Sequence, residues 1–131
     1  MINKSSLLAI QALTELAQLP PGECRGAASI AAKIKAPANY LGKLLQSLVA
    51  HGLVVSQKGK GGGFRLEQSP RKISIFDVIT AIEDTDKWGK CFLGRKQCSD
   101  FSPCRVHERW KVVKETNMKF LESITLHDLS Q

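Results

Sequence analysis

The sequence predicts a mainly α-helical fold with one short β-hairpin. Three observations support this class. Apolar residues recur at helical spacing through most of the 131 residues, a glycine-rich basic segment separates two short strand-like runs, and the last segment carries a heptad-like apolar pattern. No apolar run approaches the ~20 residues that a membrane helix needs, so we expect no membrane span.

The first helix is predicted from apolar residues at helical spacing through residues 7–17. Pro20, Pro21 and Gly22 then end it. Residues 28–33 are small and apolar and predict a second, shorter helix, which a brief turn at residues 35–36 closes. The first 36 residues therefore predict two helices of unequal length.

A longer helix follows, with Pro37 in its first turn and Gly52 as its stop signal. One apolar stripe faces a core and consists of Leu41, Leu44, Leu45, Leu48 and Val49. The opposite face presents amide, hydroxyl and cationic groups able to reach bases and phosphates: Asn39, Tyr40, Lys43, Gln46 and Ser47. A short helix, a tight turn and a longer helix make a helix-turn-helix, whose second helix normally enters the major groove.

Two short strands, at residues 53–56 and 64–66, flank the glycine-rich segment 57–63. Glycines permit positive φ and a close approach of the backbone to another surface. We expect a basic wing, and its predicted DNA contacts are Lys58, Lys60, Gly61, Gly62 and Arg65. A nucleotide-binding glycine loop is excluded, because there is no Gly-Lys-Ser/Thr ending and no strand-loop-helix order.

The net charge of +7 belongs entirely to the first part of the chain. Residues 1–72 hold ten Lys or Arg against three acids, whereas residues 73–131 hold nine of each. A localised positive field favours nucleic acid as the partner, because Lys and Arg displace counterions from phosphates. A solvated basic surface without a partner is the alternative.

Three cysteines and a histidine lie within seventeen residues and form a complete ligand set: Cys91, Cys98, Cys104 and His107. With Ser102 as cap and Pro103 in the first helical position, Cys104 and His107 are predicted to share one face of a new helix's first turn. The helix dipole and neighbouring cations favour thiolate, the form that binds metal. Cys₃His suits zinc as well as iron, and a reversible thiol pair is a further alternative. Two structural disulfides are disfavoured, because no export signal is present and we expect a cytoplasmic protein.

Beyond the ligands, apolar positions alternate in steps of three and four along a helix seam: Trp110, Val113, Asn117, Phe120 and Ile124. In so small a chain this pattern favours packing against a second copy, with Asn117 fixing the register. A plain core-packing helix is the alternative. Residues 74–82 predict one more helix before the ligand loop, capped by Ser74. We therefore divide the chain into a DNA-binding domain (1–82), a cluster-binding loop (83–103) and a dimerisation helix with its tail (104–131).

Taken together, these segments resemble the Rrf2 family of bacterial transcription regulators. The resemblance covers nearly the whole chain, and the glycine-rich wing and the cysteine loop are its most specific parts. It implies a homodimer with winged-helix heads, a long dimerisation helix, and promoter DNA binding that depends on an iron–sulfur cluster. It also implies a repressor or dual regulator that senses redox or cluster state in the cytoplasm and associates with the nucleoid when bound to DNA.

The resemblance also implies the cluster type. In the subgroup that regulates iron–sulfur assembly, a histidine three residues after the third cysteine completes a [2Fe-2S] site, and His107 stands at that spacing from Cys104. In the nitric-oxide-sensing subgroup an aspartate from the first helix completes a [4Fe-4S] site, and the first helix here offers only Glu15. The sequence departs from the assembly regulator at Gly42, where that protein has Glu, and in a longer spacer between the first two cysteines.

No constellation in the sequence predicts an enzyme. We find neither paired carboxylates nor a Ser/His/Asp set in a recognisable arrangement. A small electron carrier would use the same metal ligands, yet it would not need a basic helix-turn-helix and a wing.

Overall fold

The computed structural model of the protein describes residues 2–94, 100–101 and 103–131. Within them the helices are α1 Lys4–Ala17, α2 Ala27–Ile34, α3 Ala38–Ala50, α4 Ile75–Ile82, α5 His107–Ser123 and α6 Leu126–Ser130. Strands β1 Val54–Gln57 and β2 Gly63–Leu66 form an antiparallel hairpin, and 3-10 turns lie at Pro70–Lys72 and Thr85–Gly89. The predicted class, mainly α with one β-hairpin, is confirmed.

The turn between α2 and α3 depends on a left-handed residue. Lys35 adopts φ 59° and ψ 47°, and the Ala36 N–H donates to the Ala31 carbonyl at 2.9 Å, which closes α2. Pro37 is extended (φ −64°, ψ 129°) and lies one residue before α3, so it occupies the capping position and not the predicted first turn. Gly52, at φ +78°, follows the end of α3 as predicted, because glycine tolerates this conformation.

One core joins α1, α2, α3, the hairpin, part of α4 and α6. Its largest fully buried side chains include Leu13, Ile30, Leu41, Leu45, Leu48 and Leu126. Ala9 and Ala12 on α1 are also fully buried, and their small side chains let neighbouring helices approach closely. The predicted apolar stripe of α3 therefore faces this core, and its member Val49 packs against the core while only partly buried.

The C-terminal tail packs into the head of the molecule, which is the winged-helix part formed by α1 to α4 and the hairpin. Leu126 is fully buried in the main core, and its N–H donates to the Ile73 carbonyl at 2.9 Å. Thr125 forms an isolated antiparallel bridge with Ser74. Residues 104–131 thus contribute both an outer helix, α5, and an inner one, α6.

Helix α5 differs from the prediction at both ends. It begins at His107, and the three residues before it form a turn closed by the His107 N–H donating to the Cys104 carbonyl at 3.1 Å. Cys104 therefore precedes the helix, because this turn uses an i to i+3 hydrogen bond and not the helical i to i+4 pattern. Ile124 lies just beyond the end of α5, in extended conformation, and packs against the cluster of Ile75, Ile79 and Leu121.

None of the helices in the described residues combines the length with the apolar character required to cross a bilayer.

Candidate nucleic-acid interface and metal centre

The outer face of α3 is open to solvent. The side chains predicted to contact DNA there are all exposed: Asn39, Tyr40, Lys43 and Gln46. They lie opposite the buried leucine stripe, because residues three and four apart share a helix face. Tyr40 is 41% exposed, and its hydroxyl forms a hydrogen bond with the Ser5 hydroxyl of α1. This contact fixes the tyrosine ring, and no local sequence pattern predicts it because its two residues are 35 positions apart.

A groove of about 620 Å³ runs between α2, α3 and the hairpin. Its lining consists of Ala27, Ala28, Ala38, Asn39, Gly42, Lys43, Gln46 and Phe64. A Cβ atom at Gly42 would meet the Ala27 Cβ at 3.9 Å, an ordinary contact distance. The small residues leave space in the groove, and Asn39, Gln46 and Lys43 supply the polar part of its lining.

The hairpin is fastened to the head by a backbone pair. The Phe64 N–H donates to the Arg25 carbonyl at 2.8 Å, and the Arg25 N–H donates to the Phe64 carbonyl at 3.0 Å. A Cβ atom on Gly63 would lie 2.5 Å from the Arg25 carbonyl carbon, so only glycine permits this approach. Arg25 is therefore a structural partner of the wing that the sequence analysis missed, because the bridge joins distant segments.

The cationic residues of the hairpin stand on the solvent side. Lys58 and Lys60 are exposed, as is Gly61, whereas Gly62 and Arg65 are partly buried. Gly62 is needed for a steric reason: a Cβ there would lie 2.2 Å from the Gln57 carbonyl oxygen. The structure thus leaves Lys58 and Lys60 of the wing open to solvent, as it does Lys43 of α3.

Two of the predicted metal ligands are buried at the start of α5. Cys91 is 6% exposed and His107 is 4% exposed. The Trp110 indole N–H donates to the Lys90 carbonyl at 2.9 Å, and the Trp110 and Phe92 rings lie 5.4 Å apart. Since Cys91 lies between the two residues that contact Trp110, this contact carries Cys91 to the first turn of α5, whose first residue is His107.

Of the other two predicted ligands, Cys104 is among the described residues and Cys98 is not. Cys104 is partly buried and carries a free thiol. Because it precedes α5, the favourable helix position expected for its thiolate does not apply. Cys98 and Ser102 lie outside the described residues. Cys24, in the loop between α1 and α2, is also outside any disulfide, and its Sγ lies 3.5 Å from the Gln57 side-chain oxygen.

His107 is held by an aspartate that the sequence analysis did not single out. Its Nε2 lies 2.8 Å from Asp100 Oδ1, and the Lys111 ammonium lies 3.4 Å from both oxygens of Asp100. A carboxylate can only accept, so Nε2 carries the proton of this hydrogen bond. Lys111 stands four residues after His107, a helical spacing that could have signalled it.

These hydrogen bonds shift two ionisation equilibria. The bond from His107, and after it the bond from Lys111, lowers the pKa of the Asp100 carboxyl below its ordinary value. The bond to Asp100 in turn raises the pKa of the Lys111 ammonium. Asp100 is therefore an anion, and Lys111 a cation, throughout the neutral pH range.

Oxygen donors also gather around His107. Ligand atoms of Asp100, His107 and Glu108 all lie within 4.8 Å of one another, and the two acids are exposed. Asp100 and His107 line one end of a groove of about 680 Å³ that runs along α5. A divalent cation that prefers nitrogen and oxygen donors could bind this group.

The predicted helix seam is unevenly buried along α5. Val113 and Phe120 are exposed by 52% and 56%, and Val112 beside them by 62%. Trp110 and Asn117 are partly buried. The exposed apolar face of α5 therefore consists of Val112, Val113 and Phe120, and the structure places Ile124 inside the chain and not on this face.

Comparisons with known proteins agree with this architecture. Over 91 residues, the chain is 34% identical to the HTH-type transcriptional regulator IscR of Aliivibrio salmonicida, a match that covers 70% of this chain and 54% of that regulator. The solved structure of T. potens IscR has a TM-score of 0.79 at 28% identity and covers 98% of this chain and 85% of that one. CymR, the global cysteine regulator of B. subtilis, has a TM-score of 0.83 at 25% identity and covers 99% and 95%.

Residues 2–131 match the Rrf2 family, described as iron-dependent transcriptional regulators. This match spans nearly the entire chain, and the winged helix of the structure is the DNA-binding fold of the relatives. Members of this family are regulators and not enzymes. The chain belongs to the Rrf2 family of DNA-binding transcriptional regulators.

Proposed function

We propose that the protein is a homodimeric regulator, a repressor or a dual regulator, whose promoter binding is controlled by a [2Fe-2S] cluster. Cys91, Cys98, Cys104 and His107 would hold the cluster. Cys91 and His107 are both buried, and the neighbours of Cys91 contact Trp110 in the first turn of α5; these observations carry the proposal. Thiolate and imidazole are the donors that such clusters take, and a site shielded from water slows their hydrolysis.

The site would act through charge and through the loop that leads to it. When bound, the cluster would supply a one-electron change, from about −1 to about −2 for three thiolates and a neutral imidazole. The chain's own part is to hold the loop at residues 90–94 against Trp110 on α5. Loss of that anchoring would free the loop and alter how α5 packs on α4, and so change the spacing of two DNA-binding heads.

Dimerisation would use the exposed apolar face of α5. Exposed valine and phenylalanine side chains on one helix are costly in water, and a second copy would cover them. Phe120→Asp should convert the dimer to a monomer, because it buries a charge in that interface. Leu129→Asp is the matched control, since Leu129 is a 42% exposed apolar residue on α6. Sedimentation velocity that finds the Phe120→Asp variant still dimeric would remove α5 as the interface.

DNA would bind across the outer face of α3 and the wing. In a dimer the two recognition helices would enter successive major grooves, about one helical turn apart. The proposed contacts are Asn39, Tyr40, Lys43, Gln46, Lys58, Lys60, Gly61, Gly62 and Arg65. This activity places the protein in the cytoplasm, where promoter DNA is found.

The decisive experiment measures metal content and DNA binding on the same sample. Anaerobically purified wild type should contain iron and acid-labile sulfide in equal amounts and absorb visible light, and His107→Ala should lose most of both. With and without cluster, the protein should bind one promoter duplex with different affinities at a fixed salt concentration. Equal affinities would contradict the proposed control by the cluster.

Zinc is the second candidate ligand. It is favoured by the oxygen donors of Asp100 and Glu108, which lie within 4.8 Å of the His107 ligand nitrogen and suit zinc better than they suit a cluster. A colourless protein with one zinc per chain would support this alternative. A winged-helix regulator with a reversible thiol pair would contain neither metal.

A further inference from the structure

We propose that Asp100 is a positioning residue of the metal centre, which fixes the orientation of the His107 ring through its hydrogen bond with Nε2. This inference rests on the proposed function. Asp100 would not touch the metal. It would act through His107, by accepting the Nε2 proton and holding the ring in one tautomer.

The contact is short and the ring is confined. A separation of 2.8 Å between Nε2 and Oδ1 is that of a charge-assisted hydrogen bond. Packing also limits rotation of the imidazole, because His107 is only 4% exposed and is the first residue of α5. The ring therefore keeps its orientation without depending on a bound metal.

Asp100 is itself held in place from the opposite side. Its side chain is 63% exposed, yet the Lys111 ammonium contacts both carboxylate oxygens at 3.4 Å. Lys111 and His107 lie one turn apart on α5, so the aspartate bridges two positions of a rigid element. This arrangement of lysine, carboxylate and histidine resembles the outer shell that usually orients a histidine ligand in metalloproteins.

Two consequences follow for a bound cluster. A hydrogen bond from Nε2–H to a carboxylate fixes the proton on that nitrogen, and a neutral imidazole binds a metal through its other nitrogen. The carboxylate also increases electron donation by the ring, and its negative charge opposes the addition of an electron. Asp100 should therefore strengthen retention of the cluster and lower its reduction potential.

Asp100 could also have the opposite role and weaken metal binding, because an aspartate hydrogen-bonded to His107 competes with the metal for that histidine. In that case removal of Asp100 would prolong retention of the cluster. If Asp100 bound the metal directly through oxygen, a third result would follow. Asp100→Asn would lose as much iron as Asp100→Ala, and the remaining cluster would have an altered visible spectrum. The direction of the effect and the behaviour of the asparagine variant separate these roles.

The experiment compares wild type with Asp100→Ala, Asp100→Asn and Asp100→Glu. Asp86→Asn is the matched control, since Asp86 is an exposed acid that lines the same groove. Each protein is reconstituted anaerobically with iron and sulfide, and we measure the half-life of visible absorbance under an iron chelator and the reduction potential. Because Asp100 is exposed, the variants should fold, which circular dichroism of the metal-free proteins verifies.

We expect Asp100→Ala to shorten the half-life about 10-fold or more, and Asp100→Glu to restore part of it. Asp100→Asn keeps an acceptor but loses the charge, so it should retain the cluster better than alanine and have a higher reduction potential than wild type. An unchanged or prolonged half-life in Asp100→Ala, with wild type fully loaded, would overturn this inference alone. Wild type without iron and sulfide would overturn the proposed function and this inference together.

Discussion

Ser6 is fully buried, and its hydroxyl donates a 2.5 Å hydrogen bond to the Glu83 carboxylate. The Asn3 N–H donates to the same oxygen at 3.0 Å, so the end of α4 is tied to the start of α1. The neighbouring Ser5 contacts Tyr40 on α3. The start of α1 thus contacts two elements. One is the end of α4, which precedes the proposed metal-binding loop, and the other is α3, the helix proposed to contact DNA.

The first prediction concerns this buried hydroxyl. Ser6→Ala removes one donor from a partly buried carboxylate, which should lower the free energy of unfolding by about 1–3 kcal/mol. Urea unfolding measures the loss, and Ser56→Ala on the exposed side of β1 is the control. In a double-mutant cycle with Glu83→Gln, the two effects should be coupled by about 0.5 kcal/mol or more. Additive effects would show that the hydrogen bond contributes nothing specific.

The second prediction separates two costs of replacing a glycine in the wing. Gly59 and Gly63 both have positive φ, at 94° and 132°, but a Cβ meets nothing within 4 Å at Gly59 and lies 2.5 Å from backbone at Gly63. Gly59→Ala should cost about 1 kcal/mol of stability through backbone strain alone. Gly63→Ala should cost distinctly more and weaken DNA binding, because the hairpin must move away from Arg25. Equal unfolding free energies for the two variants would contradict the close approach.

Local patterns predicted the elements of the head, while contacts between distant segments were not predictable. The apolar stripe of α3 and the glycines of the hairpin are local signals, and both lie where the sequence places them. The pairing of Phe64 with Arg25 and the burial of Leu126 depend on how distant segments meet, which no periodicity encodes. The predicted start of α5, at Pro103, is four residues early, because a turn and the start of a helix share the same capping signals.

For the proposed metal centre, the sequence predicted which residues are candidate ligands but not how the chain arranges them. The spacing of Cys91 and His107 identified them as candidate ligands, and both are buried, but nothing in the spacing showed that Trp110 carries the loop to α5. Asp100 carries no such signal in the sequence, because an isolated acid in a loop is usually solvated.

The third prediction tests whether the tail is part of the head. Leu126 is fully buried in the main core, whereas Leu129, on the same helix, is 42% exposed. Leu126→Ala should cost about 2–5 kcal/mol, because it removes apolar contacts and leaves a cavity. Leu129→Ala should cost well under 1 kcal/mol. Thermal unfolding of both variants measures the difference, and similar melting temperatures would place α6 outside the cooperative core.

The fourth prediction concerns pH. Hydrogen bonds from the Thr125 backbone and then from its hydroxyl lower the pKa of Asp128, which caps α6. A carboxyl whose pKa is lower in the folded state stabilises the fold above its unfolded pKa of about 3.9, and loses that contribution as pH falls through the folded value. The Asp128→Asn variant should therefore be less stable than wild type at about pH 6. Its free energy of unfolding should approach that of wild type below about pH 3. A stability difference that does not vary with pH would exclude a role for the charge.

The fifth prediction concerns the charge of the recognition helix. Lys43 and Lys119 are both exposed. Lys43 lies on α3 and lines the groove between α2, α3 and the hairpin, whereas Lys119 lies on α5. Each phosphate contact contributes about one unit to the slope of log affinity against log salt concentration. Lys43→Ala should therefore reduce the slope by about one unit per bound subunit and weaken binding to all duplex sequences alike. Lys119→Ala removes the same charge from the chain and should leave the slope unchanged, so equal losses in the two variants would mean that net charge, and not the face of α3, governs binding.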